Sequence, residues 1–133
     1  MWIALDELGA QRIGHGINSV DDPALLARLA ADHVALEVCP TSNLCTRAVR
    51  SLAGHPMRRL HQAGIPLTVA SDDPPMFNTT LTREYHIAAQ LLGLDAAGVA
   101  ELARTSIRVS FLADTQQQPL LNEIDAVLTQ DAQ

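Results

Sequence analysis

The sequence predicts an α/β fold built on a parallel sheet, and three observations carry the prediction. Short β-like runs alternate with stretches whose apolar residues recur at helical spacing, the signature of successive β-α-β units. Each run ends at a turn or capping residue, so the alternation is punctuated. The 133 residues, 47% of them hydrophobic, are enough for the core of about one domain and contain no apolar run of about 18 residues of the kind a membrane span needs.

The opening "MWIALDELGAQ" reads as the interior of a helix, with Ile3, Ala4, Leu5 and Leu8 apolar and no capping residue before it. "QRIGHGI", Gln11 to Ile17, is the first strand. "DDPALLARLAADH" follows as a helix: Asp caps it, Pro23 occupies the first turn, and Leu25, Leu26 and Leu29 form the buried stripe. "HVALEVCP" is the second strand, ended by Pro40. "TSNLCT" reads as a polar loop, and "HPMRRLHQAG" as a short helix between Pro56 and Gly64.

"IPLTVAS" is the third strand and runs directly into Asp72-Asp73 and two prolines. From there no strand-like run remains. "TLTREYHIAAQLLG" is an amphipathic helix with a Thr cap and Gly93 as its stop. "DAAGVAELARTSIRVSFLA" reads as one helix leading into another, and "QPLLNEIDAVLTQ" as the last, which makes a helical tail of about residues 95–130. Residues 1–133 are one unit without a linker or repeat.

Composition narrows the function classes. The formal net charge is −6 and all nine basic residues are Arg, which argues against a nucleic-acid surface. With no Lys, a P-loop, a Schiff base and a Ser/Lys dyad are excluded within these residues. Cys39 and Cys45 have no CxxC partner and are expected to be reduced structural thiols. No secretory leader or membrane span is expected, so the expected compartment is the cytoplasm.

Chemistry-bearing residues gather at strand ends: Gly14-His15-Gly16, Thr41-Ser42-Asn43 and Asp72-Asp73, with Glu37 and Cys39 in the second strand. In parallel α/β folds those ends form the ligand-binding rim. His15 lies between two glycines, so backbone or ligand can approach it closely. Pro74 holds the backbone of Asp73 extended, and two adjacent like charges call for a metal, a cation, a hydrogen-bond donor or solvent. Ser42 and Asn43 read as ordinary turn residues, Glu37 as a buried hydrogen-bonded carboxylate, and His33, His55, His61 and His86 as surface or capping residues.

In order, "RIGHG", "LEVCPTSN" and "SDDPPMF" followed by "TLTREY" closely resemble the C-terminal third of the adenosine/adenine deaminase family of the amidohydrolase superfamily. The resemblance implies the C-terminal portion of a (β/α)8 barrel, about its sixth to eighth strands with their helices. It implies zinc-dependent hydrolytic removal of the 6-amino group from a purine nucleoside, with adenine or a related 6-aminopurine nucleoside as alternative substrate. Asp72 matches the family's metal-ligating aspartate. His15 matches the histidine that assists the attacking water, Asp73 the aspartate that hydrogen-bonds ring nitrogen 7, and Gly16 lies beside the substrate. Zinc suits this chemistry because it lowers the pKa of water to roughly 7.

The family also takes metal ligands from an HxH motif and a proton donor from an HAGE-type segment, and the sequence contains neither. A catalytic zinc site generally has three protein ligands, and a complete barrel has about 200 or more residues. The expectation is therefore a fragment that begins within the architecture, binds zinc weakly and deaminates nothing alone. Two other readings stand beside it. One is a non-catalytic piece or split subunit that self-associates or pairs with a complementary polypeptide through its exposed strand edges. The other, a free-standing Mg²⁺ module similar to a phosphoacceptor receiver domain, is disfavoured because Lys is absent and the acidic pair is on the last strand.

Overall fold

The computed structural model describes residues 1–131. Three short parallel strands, β1 (Arg12–Gly14), β2 (Ala35–Val38) and β3 (Leu67–Val69), form a sheet in the order β1-β2-β3. Arg12, Ile13 and Gly14 are in register with Ala35, Leu36 and Glu37; Leu36, Glu37 and Val38 are in register with Leu67, Thr68 and Val69. Within the sheet β2 is paired on both sides, while β1 and β3 are its edges.

The helices are α1 (Trp2–Asp6), α2 (Pro23–Ala31), α3 (Pro40–Cys45), α4 (Met57–Gln62), α5 (Pro74–Phe77), α6 (Leu81–Leu92), α7 (Ala96–Arg108) and α8 (Asp114–Asp131). Their starts follow the capping chemistry in the sequence. The Asp22 carboxylate accepts from the N–H groups of Ala24 and Leu25, Thr80 Oγ1 from Arg83, and Asp95 from Gly98. Gly93 ends α6 in the left-handed conformation at φ +73°.

One core cluster holds these parts together. Leu36 and Val38 of β2 and Leu67 and Val69 of β3 pack with Leu25 and Leu29 of α2, Met57 and Leu60 of α4, Ala88 and Leu92 of α6, and Leu102 of α7. Because side chains alternate across a strand, Ala35, Glu37 and Thr68 belong to the opposite face. On that face Arg12 makes a 2.7 Å ion pair with Glu37, whose side chain is 39% exposed. Glu37 is hydrogen-bonded as expected but only half-buried.

Three further expectations change. The strands are shorter than their apolar runs: Ile17 is the buried first residue of a 3-10 turn, Ile17–Asp21, that follows β1. "TSNLCT" is not a polar loop. Pro40 opens α3 as its first residue, and Pro40, Thr41, Ser42 and Asn43 are all buried. The last helix begins at Asp114 rather than at Gln118, with Pro119 inside it. Its first turn is held by Gln116 Oε1 accepting from the Ala113 N–H and by Gln117 Nε2 donating to the Leu112 carbonyl. No helix of the described residues is long and apolar enough to cross a membrane.

Candidate active site at the strand ends

Parallel strands bring their C-terminal ends to one edge, which places His15 just after β1, Cys39 just after β2 and Asp72 just after β3. The His15 N–H donates to the Glu37 carbonyl at 2.8 Å, extending the β1-β2 ladder by one bond. His15 then turns left-handed at φ +55°, as does Asp72 at φ +57°. Asp and His tolerate that region better than most residues, yet it costs about 1–3 kcal/mol for a non-glycine. Both predicted catalytic side chains thus stand on bent backbone that turns each strand end.

The two side chains converge. His15 Nε2 is 3.5 Å from Asp72 Oδ2, with the side chains 43% and 39% exposed. The same Oδ2 accepts from Ser42 Oγ at 2.7 Å, and Oδ1 has no protein hydrogen bond among the described residues. These groups border a cleft of about 530 Å³ lined by His15, Gly16, Asn18, Ser42, Asn43 and Asp72 among others. A His15 ring nitrogen, the Cys39 sulfur and an Asp72 carboxylate oxygen lie within 4.8 Å of one another. Each is a donor type that zinc accepts, but of the three residues only His15 and Asp72 line the cleft, and Cys39 is buried. Burial, reinforced by the carboxylates of Asp72, Glu37 and Glu84, pushes the Cys39 thiol up to about 12, so without a metal it is protonated at neutral pH. Neither cysteine is in a disulfide, and Cys39 is buried while Cys45 is exposed.

Gly16 also lines the cleft, but its glycine character has a packing origin. It is left-handed at φ +65°, and a Cβ there would come within 2.7 Å of Leu36 Cδ2 and 3.3 Å of Ile13 Cγ2. Leu36 is fully buried, so it has little room to retreat. Gly16→Ala is expected to cost about 2–4 kcal/mol, from the left-handed backbone plus overpacking. Urea titration of the two proteins measures it, and a change below about 0.5 kcal/mol would refute the packing account.

Asp73 stands apart. Its Oδ1 accepts from the Met76 N–H at 2.9 Å, capping the four-residue α5. It is exposed and outside the cleft lining. The adjacent aspartates therefore point to different work: one shares an oxygen with Ser42 near His15, the other caps a helix.

Sequence reasoning missed two supports. Glu84 is fully buried on α6 and reaches across to α3. Its Oε2 accepts from the Thr41 N–H at 2.9 Å, and its Oε1 from the Thr79 hydroxyl. α3 has no side-chain cap of its own, so Glu84 supplies one from another helix and places negative charge at a helix N-terminus. The visible signal is a carboxylate on the Glu84, Ala88, Leu92 stripe at helical spacing.

The second support is His55, read from the sequence as a surface or capping residue but only 6% exposed. Its Nδ1 accepts from the Met57 N–H at 3.1 Å, so it does assist the start of α4, and its Nε2 lies 3.1 Å from Asn43 Oδ1. Burial pushes the ring below its ordinary pKa. His33, His61 and His86 are exposed, as expected.

The sequence matches the adenosine deaminase family over residues 1–127. The chain belongs to the adenosine deaminase family. Among its relatives, the aminodeoxyfutalosine deaminase of Streptomyces coelicolor is 53% identical over 125 residues, covering 94% of this chain and 32% of that protein. An adenine deaminase of Rhizobium leguminosarum is 43% identical over 118 residues, covering 89% and 37%. The crystal structure of adenine deaminase from Arthrobacter aurescens superposes with a TM-score of 0.90 at 37% identity, covering 96% of this chain and 39% of that one. The chain thus spans between 32% and 39% of the length of these deaminases. Its α/β arrangement is that of the Arthrobacter enzyme over the matched part.

Proposed function

We propose that residues 1–133 carry one wall of a zinc-dependent purine deaminase site, which removes the exocyclic 6-amino group of a purine nucleoside, or of adenine, by hydrolysis. The observation that carries this reading is the convergence of His15 and Asp72 at 3.5 Å on the strand-end edge, beside a cleft of about 530 Å³. Membership of the deaminase family supports the reaction class. In this reading the three strands are the sixth to eighth of the family's barrel.

Zinc, when bound, supplies the Lewis acidity that makes water nucleophilic near neutral pH. Asp72 would hold it, through the oxygen that Ser42 leaves unclaimed. His15, 3.5 Å from the same carboxylate, would orient the attacking water. Asp73 keeps Oδ1 on its cap and offers Oδ2 to a ring nitrogen of the purine, provided one partner of that bond carries a proton. The histidine ligands that the family takes from an HxH motif have no counterpart in residues 1–133, so a working site needs the rest of a barrel.

That requirement sets the test. Residues 1–127 replace the matching part of the Arthrobacter adenine deaminase, and ammonia release is followed with adenine, adenosine and aminodeoxyfutalosine. The chimera is expected to deaminate at least one of them, and the isolated 133-residue chain none. A folded, zinc-loaded chimera that releases no ammonia from any of the three would overturn the proposal, as would turnover by the isolated chain.

A further inference from the structure

We propose that Asn43 and His55 are positioning residues that hold His15 in the tautomer with its proton on Nε2, the nitrogen turned towards Asp72. The Met57 backbone N–H can only donate, and it points at His55 Nδ1 at 3.1 Å. His55 Nδ1 therefore accepts, and the single proton of the neutral ring is on Nε2.

His55 Nε2–H lies 3.1 Å from Asn43 and must meet an acceptor, which places the amide oxygen on that side. The Asn43 amide nitrogen then faces His15 Nδ1 at 3.1 Å and donates to it. With its Nδ1 lone pair engaged, neutral His15 carries its proton on Nε2, which lies 3.5 Å from Asp72 Oδ2. The opposite assignment would set two N–H groups against each other at His55 Nδ1.

The surroundings keep the chain in place. Asn43 is 2% exposed and His55 6%, so water has little access to satisfy a flipped amide. An unpaired buried donor or acceptor costs about 1–3 kcal/mol. Burial also disfavours the charged form of His55, which could not accept from Met57. Asn43 belongs to α3, whose first turn is held by Glu84, so the relay links α4, α3 and the end of β1.

The consequence is that His15 presents a hydrogen-bond donor to the cleft, while its lone pair is committed to Asn43. In this tautomer Nε2 is not a metal ligand but can orient an oxygen that is. That consequence rests on the proposed deaminase site; the tautomer itself does not.

The test needs neither metal nor turnover. Long-range ¹H–¹⁵N correlation spectra of the uniformly ¹⁵N-labelled 133-residue chain, at mildly alkaline pH where an ordinary histidine is neutral, report which ring nitrogen carries the proton. A His15→Asn variant assigns the His15 signals. The wild-type ring is expected as a single Nε2–H tautomer. In Asn43→Asp the carboxylate accepts from both rings, so His15 is expected to shift to the Nδ1–H form. His55→Phe removes the donor to Asn43 and is expected to give an averaged tautomer mixture, while His55→Gln, which can still donate, restores the wild-type pattern.

A wild-type His15 in the Nδ1–H form, or averaged between forms, would overturn the proposal even if every variant failed to fold. So would an unchanged His15 signal in folded Asn43→Asp, or in folded His55→Phe. An inactive chimera alongside an Nε2–H wild-type ring would overturn the deaminase reading and leave the relay standing.

Discussion

Glu84→Ala is expected to lower the stability of the chain by about 3–4 kcal/mol, and Glu84→Gln by only about 1. Glu84 is fully buried, and its two oxygens accept from the Thr41 N–H and the Thr79 hydroxyl. Alanine removes both acceptors and leaves a void. An orphaned buried N–H costs about 1–3 kcal/mol, and truncating a side chain of this size to Ala in a core adds a cavity term of similar order. Glutamine keeps the volume and one acceptor, and the Thr79 hydroxyl can turn to accept from the new amide. Denaturant midpoints at constant m-value give both numbers. Equal costs for the two variants would contradict this account, because glutamine keeps the volume and the one acceptor that alanine loses.

The second large effect is on catalysis. Asp72→Asn in the active chimera is expected to lower kcat/KM roughly 10²–10³-fold, with far-UV spectrum and stability close to the parent. The magnitude follows from several kcal/mol of charge stabilisation lost with a metal-holding carboxylate, at 1.36 kcal/mol per tenfold in rate. Asn keeps the left-handed backbone at φ +57° accessible and can still accept from Ser42, so the fold is spared. A loss below about fivefold would show that Asp72 does not hold the metal.

Much of the fold was legible because the relevant forces are local. Caps at Asp22, Thr80 and Asp95, Pro23 in a first turn and Gly93 at a helix end each act within a few residues. Period-two runs located all three strands, although the ladders proved shorter than the apolar runs. His15, Gly16 and Asp72 were legible because a parallel sheet sends its strand ends to one edge, and the structure brings all three to one cleft.

What the sequence hid is long-range. The hydrogen bond from Thr41 to Glu84 joins residues 43 apart, and that from Ser42 to Asp72 residues 30 apart. "TSNLCT" looked polar because its buried polar atoms find partners on other elements: Thr41 on α6, Ser42 after β3, Asn43 on the rings of His15 and His55. His55 is a single buried histidine in a loop before Pro56, where no periodicity marks it. Its role depends on where α4 starts in space.

The most direct test of the account is the position of the metal relative to His15, Cys39 and Asp72. A zinc anomalous-difference map from crystals of the chimera is expected to put the ion about 2.0–2.2 Å from an Asp72 carboxylate oxygen, with His15 Nε2 beyond bonding distance and turned towards its coordination sphere. A metal bonded through His15 Nε2 or Cys39 Sγ, or one away from Asp72 altogether, would contradict it.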